Sequence, residues 1–312
     1  MALSQKQLGH ITMFSVVCFF AVNIPVSKHM LQSGYISAYG LTLARITFAA
    51  IAFWTASLFT SKDKVERKDH LLLFAGALLG IIFNQGLFIF GLSNTSPVDA
   101  SIITTSTPLF AMVIAALVLK EPITTQKVSG VFLGAVGAIF LVYTSHHGDI
   151  TADSSMKGNL SVMGSSLSYA TYIVITRPLS SKYSAITIMK WMFLYSAVLV
   201  VPFFYKDLIE APLFQQSETT PFVLIGYTLL FATFIAYMLI PIAQKRIRPT
   251  TISMYNNMQP LIASFIAIIL GQDSFSVEKA ISGVLILGGV YLVTQSKSRE
   301  DVLAEEKDKI PT

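Results

Sequence analysis

Charge is what this chain has least of. Only 12% of its 312 residues are Asp, Glu, Lys or Arg, about half the roughly 25% of an ordinary soluble domain. That is too little to cover a water-facing surface. Cysteine is nearly absent. Cys18 stands alone, which excludes an intrachain disulfide and a thiolate metal cluster. No Asp or Glu lies deep in any apolar run, so a carboxylate proton relay through a membrane has no footing. The five histidines, His10, His29, His70, His146 and His147, lie at the ends of apolar runs or between them. A membrane-embedded enzyme needs a nucleophile–base pair or a metal cluster at depth, and neither can be assembled here. The adjacent His146 and His147 are weak evidence for a metal site. No cofactor is implied.

What is present is apolar. Hydrophobic residues make up 53% of the chain, and the mean hydropathy is +0.64. Ten runs have the length and character of membrane-spanning helices: 8–31, 37–60, 70–93, 97–119, 126–144, 157–179, 184–205, 219–242, 249–270 and 276–295. The expected fold class is therefore all-α integral membrane, with ten transmembrane helices. The first run has no small-residue cleavage site and reads as a retained span rather than a signal peptide.

The cations orient the bundle. With the amino terminus inside, sixteen of the 22 Lys and Arg fall on inner segments and four on outer ones. Such an excess marks the cytoplasmic side, so both termini are expected in the cytoplasm. Clustering in short loops points to a lipid bilayer and away from nucleic acid as partner.

The chain repeats itself. Pro108 to Lys127, "PLFAMVIAALVLKEPITTQK", returns as Pro260 to Lys279, "PLIASFIAIILGQDSFSVEK", at an offset of 152. Pro97 falls on Pro249 at the same offset, and "FAVNIPVSK" (Phe20 to Lys28) meets "YATYIVITR" (Tyr169 to Arg177) at an offset of 149. Residues 1–148 and 149–296 thus form two five-span repeats, followed by a charged tail at 297–312. Five is odd, so the second copy enters the membrane inverted, an arrangement common in secondary transporters with a midplane substrate site.

These motifs, continued by Gly130, Gly134 and Gly137 in one copy and Gly283, Gly288 and Gly289 in the other, resemble the drug/metabolite transporter superfamily, and its EamA-type branch most. The resemblance covers residues 8 to 295. It implies export or exchange of small metabolites, often amino acids or related compounds, across the inner membrane. Two positions depart from the family's pattern: Phe19 and Phe20 stand where a tryptophan is frequent, and Asp273 replaces the usual glutamate.

Several residues are candidates for function. Pro108 and Pro260, each about ten residues into a span, remove a backbone donor and read either as packing kinks or as hinges beside the site. Arg45 and Lys190 lie within the second span of each half. Cations there are costly, about 2.5–3.5 kcal/mol at a helix centre. They either snorkel or favour a carboxylate-bearing substrate. Lys28 and Arg177 read as interface anchors at helix ends. Asn23, Asn84 and Gln85 in the first half, and Tyr255, Asn256, Asn257 and Gln259 before Pro260, want partners across helices or line a cavity. Tyr172, Trp191 and Tyr237 are candidate walls with a polar handle. Asn84, Tyr237, Asn256 and Gln259 are expected to reach one central cavity. Thr104 to Thr107 occupy the equivalent of Asn256 to Gln259. Gly76 with Gly80, and Gly130 with Gly134, predict close helix packing within each half. Glu121 and Asp273, near Lys127 and Lys279, read as structural or as gate-side ion pairs, and Ser96, Pro97 and Asp99 as the cap, first turn and capping-box acid of a helix.

The reading that fits best is a secondary transporter working by alternating access, an exporter or exchanger of a small-molecule substrate, as a monomer or weak homodimer. A passive metabolite facilitator, a multidrug exporter and a non-transport membrane scaffold are the alternatives.

Overall fold

The computed structural model describes residues 4–60, 63–95, 100, 103–145, 155–215, 217–262, 265 and 276–297. Every regular element among them is helical. The bundle consists of α1 (Gln5–Gln32), α2 (Ala38–Ala56), α3 (Arg67–Ser93), α4 (Thr107–Val118), α5 (Thr125–Ser145), α6 (Met156–Ile175), α7 (Ala185–Ile209), α8 (Thr220–Gln244), α9 (Pro249–Met254, continuing as a 3-10 turn over Tyr255–Met258) and α10 (Val277–Gln295). Of these, α1, α2, α3, α7, α8 and α10 are each long and apolar enough to cross a bilayer. Pro97, Asp99, His146, His147 and Asp273, and the tail beyond Lys297, lie outside the described residues.

Serine starts many of the helices. Ser4, Ser37, Ser155, Ser184 and Ser276 each accept a hydrogen bond from a backbone N–H of the first turn, which satisfies a group the helix leaves unpaired. The outer surface is apolar, with Ile51, Leu117, Phe132, Phe203 and Val284 exposed. Buried positions include many amides and hydroxyls. A chain solvated by lipid has this distribution, because its polar groups find partners only inside.

Each helix of the first half packs against one of the second: α1 on α8, α2 on α7, α3 on α6, α4 on α9 and α5 on α10. Small residues make this possible, and here the expectation of packing within each half is corrected. A Cβ on Gly289 of α10 would lie 2.6 Å from the Gly130 carbonyl oxygen and 2.6 Å from the Gly134 nitrogen of α5. A Cβ on Gly80 of α3 would lie 2.5 Å from the Tyr172 ring of α6. The glycine stripes face the opposite half, because each helix's main partner belongs to the other copy.

Two further expectations change. The sixth span ends at Ile175, where the Thr176 hydroxyl turns back to the Tyr172 carbonyl (2.7 Å) and Pro178 opens a separate short helix, Arg177–Lys182. Lys28 is no interface anchor. It is 8% exposed, and its Nζ donates to the Leu92 and Thr95 carbonyls, both at 3.0 Å. It neutralises the carboxyl end of α3, where the helix dipole favours a cation.

Candidate functional site

The site is built where helices break. The fourth helix is interrupted at Thr105 and Ser106 and restarts at Thr107 with Pro108 in its first turn. The ninth passes through the 3-10 turn Tyr255–Met258 and restarts at Gln259, just ahead of Pro260. A proline in the first turn forfeits no hydrogen bond, so each proline marks a restart rather than a bend. The carbonyls ahead of the first break are covered locally. The Ser106 hydroxyl donates to Ile103 O and the Thr107 hydroxyl to Thr104 O, both at 2.7 Å.

A second pair of irregularities obeys the same offset of 152. Leu78–Phe83 in α3 and Leu230–Ile235 in α8 are π-helical, and such bulges release carbonyls from the regular ladder. Gly80 and Ala232 are repeat equivalents, and each carbonyl is met from the other half. The Tyr237 hydroxyl lies 3.2 Å from Gly80 O and 3.3 Å from Asn84 Oδ1. Arg45 donates from Nη2 to Ala232 O at 3.1 Å and from Nε to the Thr233 hydroxyl at 2.8 Å. Arg45 is 4% exposed, so these bonds offset the cost of burying a cation.

Between the breaks and the bulges lies a cavity of about 80 Å³, room for several waters or one small solute. Its wall joins equivalent positions of the two repeats: Phe20 with Tyr169, Gln85 with Tyr237, Thr104 with Asn256, and Thr107 with Gln259. The cavity therefore lies on the seam between the copies. Asn23, Ile24, Arg45, Asn84, Phe88, Ser165 and Ser166 complete it.

The lining is amide, hydroxyl and aromatic, with one guanidinium and no carboxylate or histidine. Asn84 is committed: its Nδ2 donates to the Ser165 hydroxyl at 3.0 Å, and that hydroxyl donates to Asn84 O at 2.8 Å. Gln259 Nε2 donates to Asn256 Oδ1 at 3.3 Å. Others are not. Asn23 Oδ1, both amide atoms of Gln85, Ser166 Oγ and the Tyr169 hydroxyl are buried without a hydrogen bond. Each such group costs about 1–3 kcal/mol until something meets it. Donors and acceptors are both among them.

The sequence candidates Asn23, Arg45, Asn84, Gln85, Tyr237, Asn256 and Gln259 thus share one cavity. Tyr172, Lys190, Trp191 and Tyr255 do not line it. The Tyr172 ring fills the notch at Gly80. Lys190 stacks over Trp54, 5.3 Å from the ring centroid, and Trp191 packs edge-on against His70 at 4.9 Å. The Tyr255 hydroxyl bonds His10 at 2.8 Å. Lys190 and Arg45 enter the bundle from opposite ends, and the cavity is displaced toward the Arg45 end. Phe88, Ser165, Ser166 and Tyr169 were not among the candidates. A helical face of small hydroxyls, Ser165, Ser166 and Ser168 with Tyr169, is their signal in the sequence.

The unlined equivalents show on which side the larger apolar core lies. Asn23, Ile24 and Phe88 face it, whereas their counterparts Tyr172, Ile173 and Ile240 are buried in the main apolar core. That core separates the cavity from the end of the bundle where Gln5 meets Arg246 and Lys297 meets Arg248, the terminal end. Polar contacts, most of them between the halves, reinforce this end. Glu121 accepts from Lys127 and from Arg177, each at 3.1 Å, and from the Thr250 hydroxyl at 3.3 Å. Asp69 accepts from Tyr183 at 2.7 Å and Lys182 at 3.0 Å. Asp63 accepts from the Ser184 N–H at 2.8 Å, and this bond holds its carboxyl below the usual carboxylate range.

Comparison with known proteins agrees with this architecture. The model of the EamA-like transporter family matches twice, over residues 7–143 and 156–295. An uncharacterised transporter of Methanothermobacter thermautotrophicus is 26% identical over 94% of this chain and 88% of its own length. A WAT1-related protein of Arabidopsis thaliana is 27% identical over 92% and 82%. The uncharacterised transporter YetK of Bacillus subtilis is 20% identical over 98% and 93%. One solved crystal structure superposes with a TM-score of 0.70 over 98% of this chain and 99% of that one, at 17% identity, a likeness of fold.

Proposed function

This chain is a multi-pass membrane protein of the EamA-like transporter family, and from that membership we propose that it moves a small polar metabolite by alternating access at the cavity on its repeat seam. Residues 1–148 and 149–296 are the moving halves. The helix restarts at Pro108 and Pro260 are the hinges. The observation that carries this reading is the asymmetry of a symmetric site. Four repeat-equivalent pairs line the cavity, yet Ile24 faces it while its equivalent Ile173 is sealed in the core. Exchanging the conformations of the two halves exchanges those roles and opens the cavity to the terminal end.

The lining favours a solute with donors and acceptors, of small amino-acid size. Unpartnered amides and hydroxyls supply both, and Arg45 offers charge to a carboxylate. Phe20, Phe88 and Tyr169 supply walls for an apolar part. A cavity of about 80 Å³ suits this class better than drug-sized molecules, which need about 300 Å³ or more. The excess of cations on the terminal end supports a cytoplasmic location for both termini, and the family suggests an exporter or exchanger of the inner membrane.

Counterflow in proteoliposomes, screened across amino acids and their neutral amides, tests the reading. A hit should be lost in Gln85→Leu, which keeps the bulk but removes both unpartnered amide atoms. Full counterflow of the hit by Gln85→Leu would place the substrate elsewhere.

A further inference from the structure

The terminal end carries a second recess, of about 700 Å³, that the central cavity does not use. Its wall draws on α1, the short helix Arg177–Lys182, the end of α8 and the end of α10. Among the described residues, cations outnumber carboxylates four to one there: Lys6, Arg177, Arg246 and Arg248 against Glu121. Glu121 is already engaged by the buried Lys127 as well as by Arg177, each at 3.1 Å, so it does not neutralise the recess. Arg246 donates to Gln5 Oε1 and Ile242 O, and Arg248 to the Val293, Thr294 and Lys297 carbonyls. Neutral acceptors fix the Arg246 guanidinium without cancelling its charge. Lys6 has no hydrogen bond or ion pair among the described residues.

Hydroxyls stand among the cations. Thr251 is 2% exposed and lines the recess. The Thr294 hydroxyl is buried without a hydrogen bond, and Ser181 lies on the rim. Leu119, Pro178 and Ile247 form apolar walls, and low-dielectric walls concentrate the field of a one-signed cleft. Guanidinium forks, an exposed ammonium and hydroxyl donors together are the chemistry that holds phosphate oxygens.

We propose that this recess is a separate anion site that takes a phosphate-bearing molecule across the seam of the two halves. The phosphate group belongs either to an anionic lipid headgroup or to a soluble phosphate compound. It meets Lys6, Arg246 and the free nitrogens of Arg177, and so ties α1, the Arg177–Lys182 helix and α8 together at the terminal end.

The full-length protein in phosphatidylcholine nanodiscs, titrated with pyrophosphate, tests this without any transport substrate. Thermal unfolding should rise saturably, beyond a chloride control of matched ionic strength. The apparent affinity should weaken about fivefold in Lys6→Gln, the loss typical of one surface cation near an anionic partner. Lys6 is exposed and bonded to nothing described, so this variant keeps the fold. Arg246→Gln is the second variant, with a larger loss expected. Adding phosphatidylglycerol identifies the source. If it abolishes the pyrophosphate shift, the headgroup is the occupant; if it leaves the shift intact, the ligand is soluble. A shift no larger than that of chloride, or one equal in wild type and both variants, overturns the proposal.

Discussion

Arg45 shows how one residue serves fold and site together. Its guanidinium replaces the hydrogen bond that the bulge in α8 releases at Ala232, and its charge is the one cation at the cavity wall. Arg45→Met should therefore lower stability by about 1–3 kcal/mol, the cost of a buried carbonyl left unsatisfied, read as a lower unfolding temperature in detergent. It should also weaken transport of carboxylate-bearing solutes more than of neutral amides. Equal losses for both classes would remove charge recognition from its role. The sequence singled out Arg45 and Lys190 together, because both sit in second spans at similar depth. What it could not give is that the cavity is displaced toward one end, which leaves Lys190 stacked on Trp54. Amides were legible for a firmer reason: Asn23, Gln85 and Asn256 have no apolar purpose in a lipid-solvated bundle. Ser165 and Ser166 escaped notice because serine also packs and caps, so its presence alone does not separate those uses.

At the scale of helices, the informative features are irregular ones placed twice. The prolines marked an irregularity from sequence alone, read there as a kink or a hinge, and the structure shows helix restarts in their place. The π-helical bulges carry no such mark. Leu78–Phe83 and Leu230–Ile235 are ordinary apolar runs, and only the released carbonyls and their partners Tyr237 and Arg45 reveal them. The glycine stripes were legible as close contacts but not as contacts of a particular pair, because spacing says nothing about which helix approaches. The α5–α10 crossing is their clearest product. Gly289→Leu would drive a side chain into the Gly130 carbonyl and Gly134 nitrogen, and overpacking of this kind costs about 1–3 kcal/mol. Thermal unfolding should fall accordingly. Gly288→Leu, whose Cβ meets only the Leu133 side chain at 3.5 Å, should cost less, and an equal loss for the two would contradict the assigned crossing.

For the whole molecule, scarcity of charge gave the membrane class, and the doubled motif gave the ten-helix organisation. The conformation was not legible. Repeat symmetry makes the two ends equivalent in sequence, and packing tells them apart: the main apolar core lies on the terminal side of the cavity, and a smaller cluster around Met30, Leu41, Ile89 and Leu213 on the other. Alternating access of the two halves is the central claim, and paired cysteine accessibility tests it most directly. In a Cys18→Ser background, Ile24→Cys and Ile173→Cys place thiols at repeat-equivalent positions on opposite sides of the seam. A membrane-impermeant maleimide applied from each side should label Ile24→Cys only from the end opposite the termini, and Ile173→Cys only from the terminal end. Conditions that favour one should suppress the other. If Ile173→Cys resists labelling from both sides in protein that still transports, the halves do not exchange conformations and alternating access at this seam is wrong.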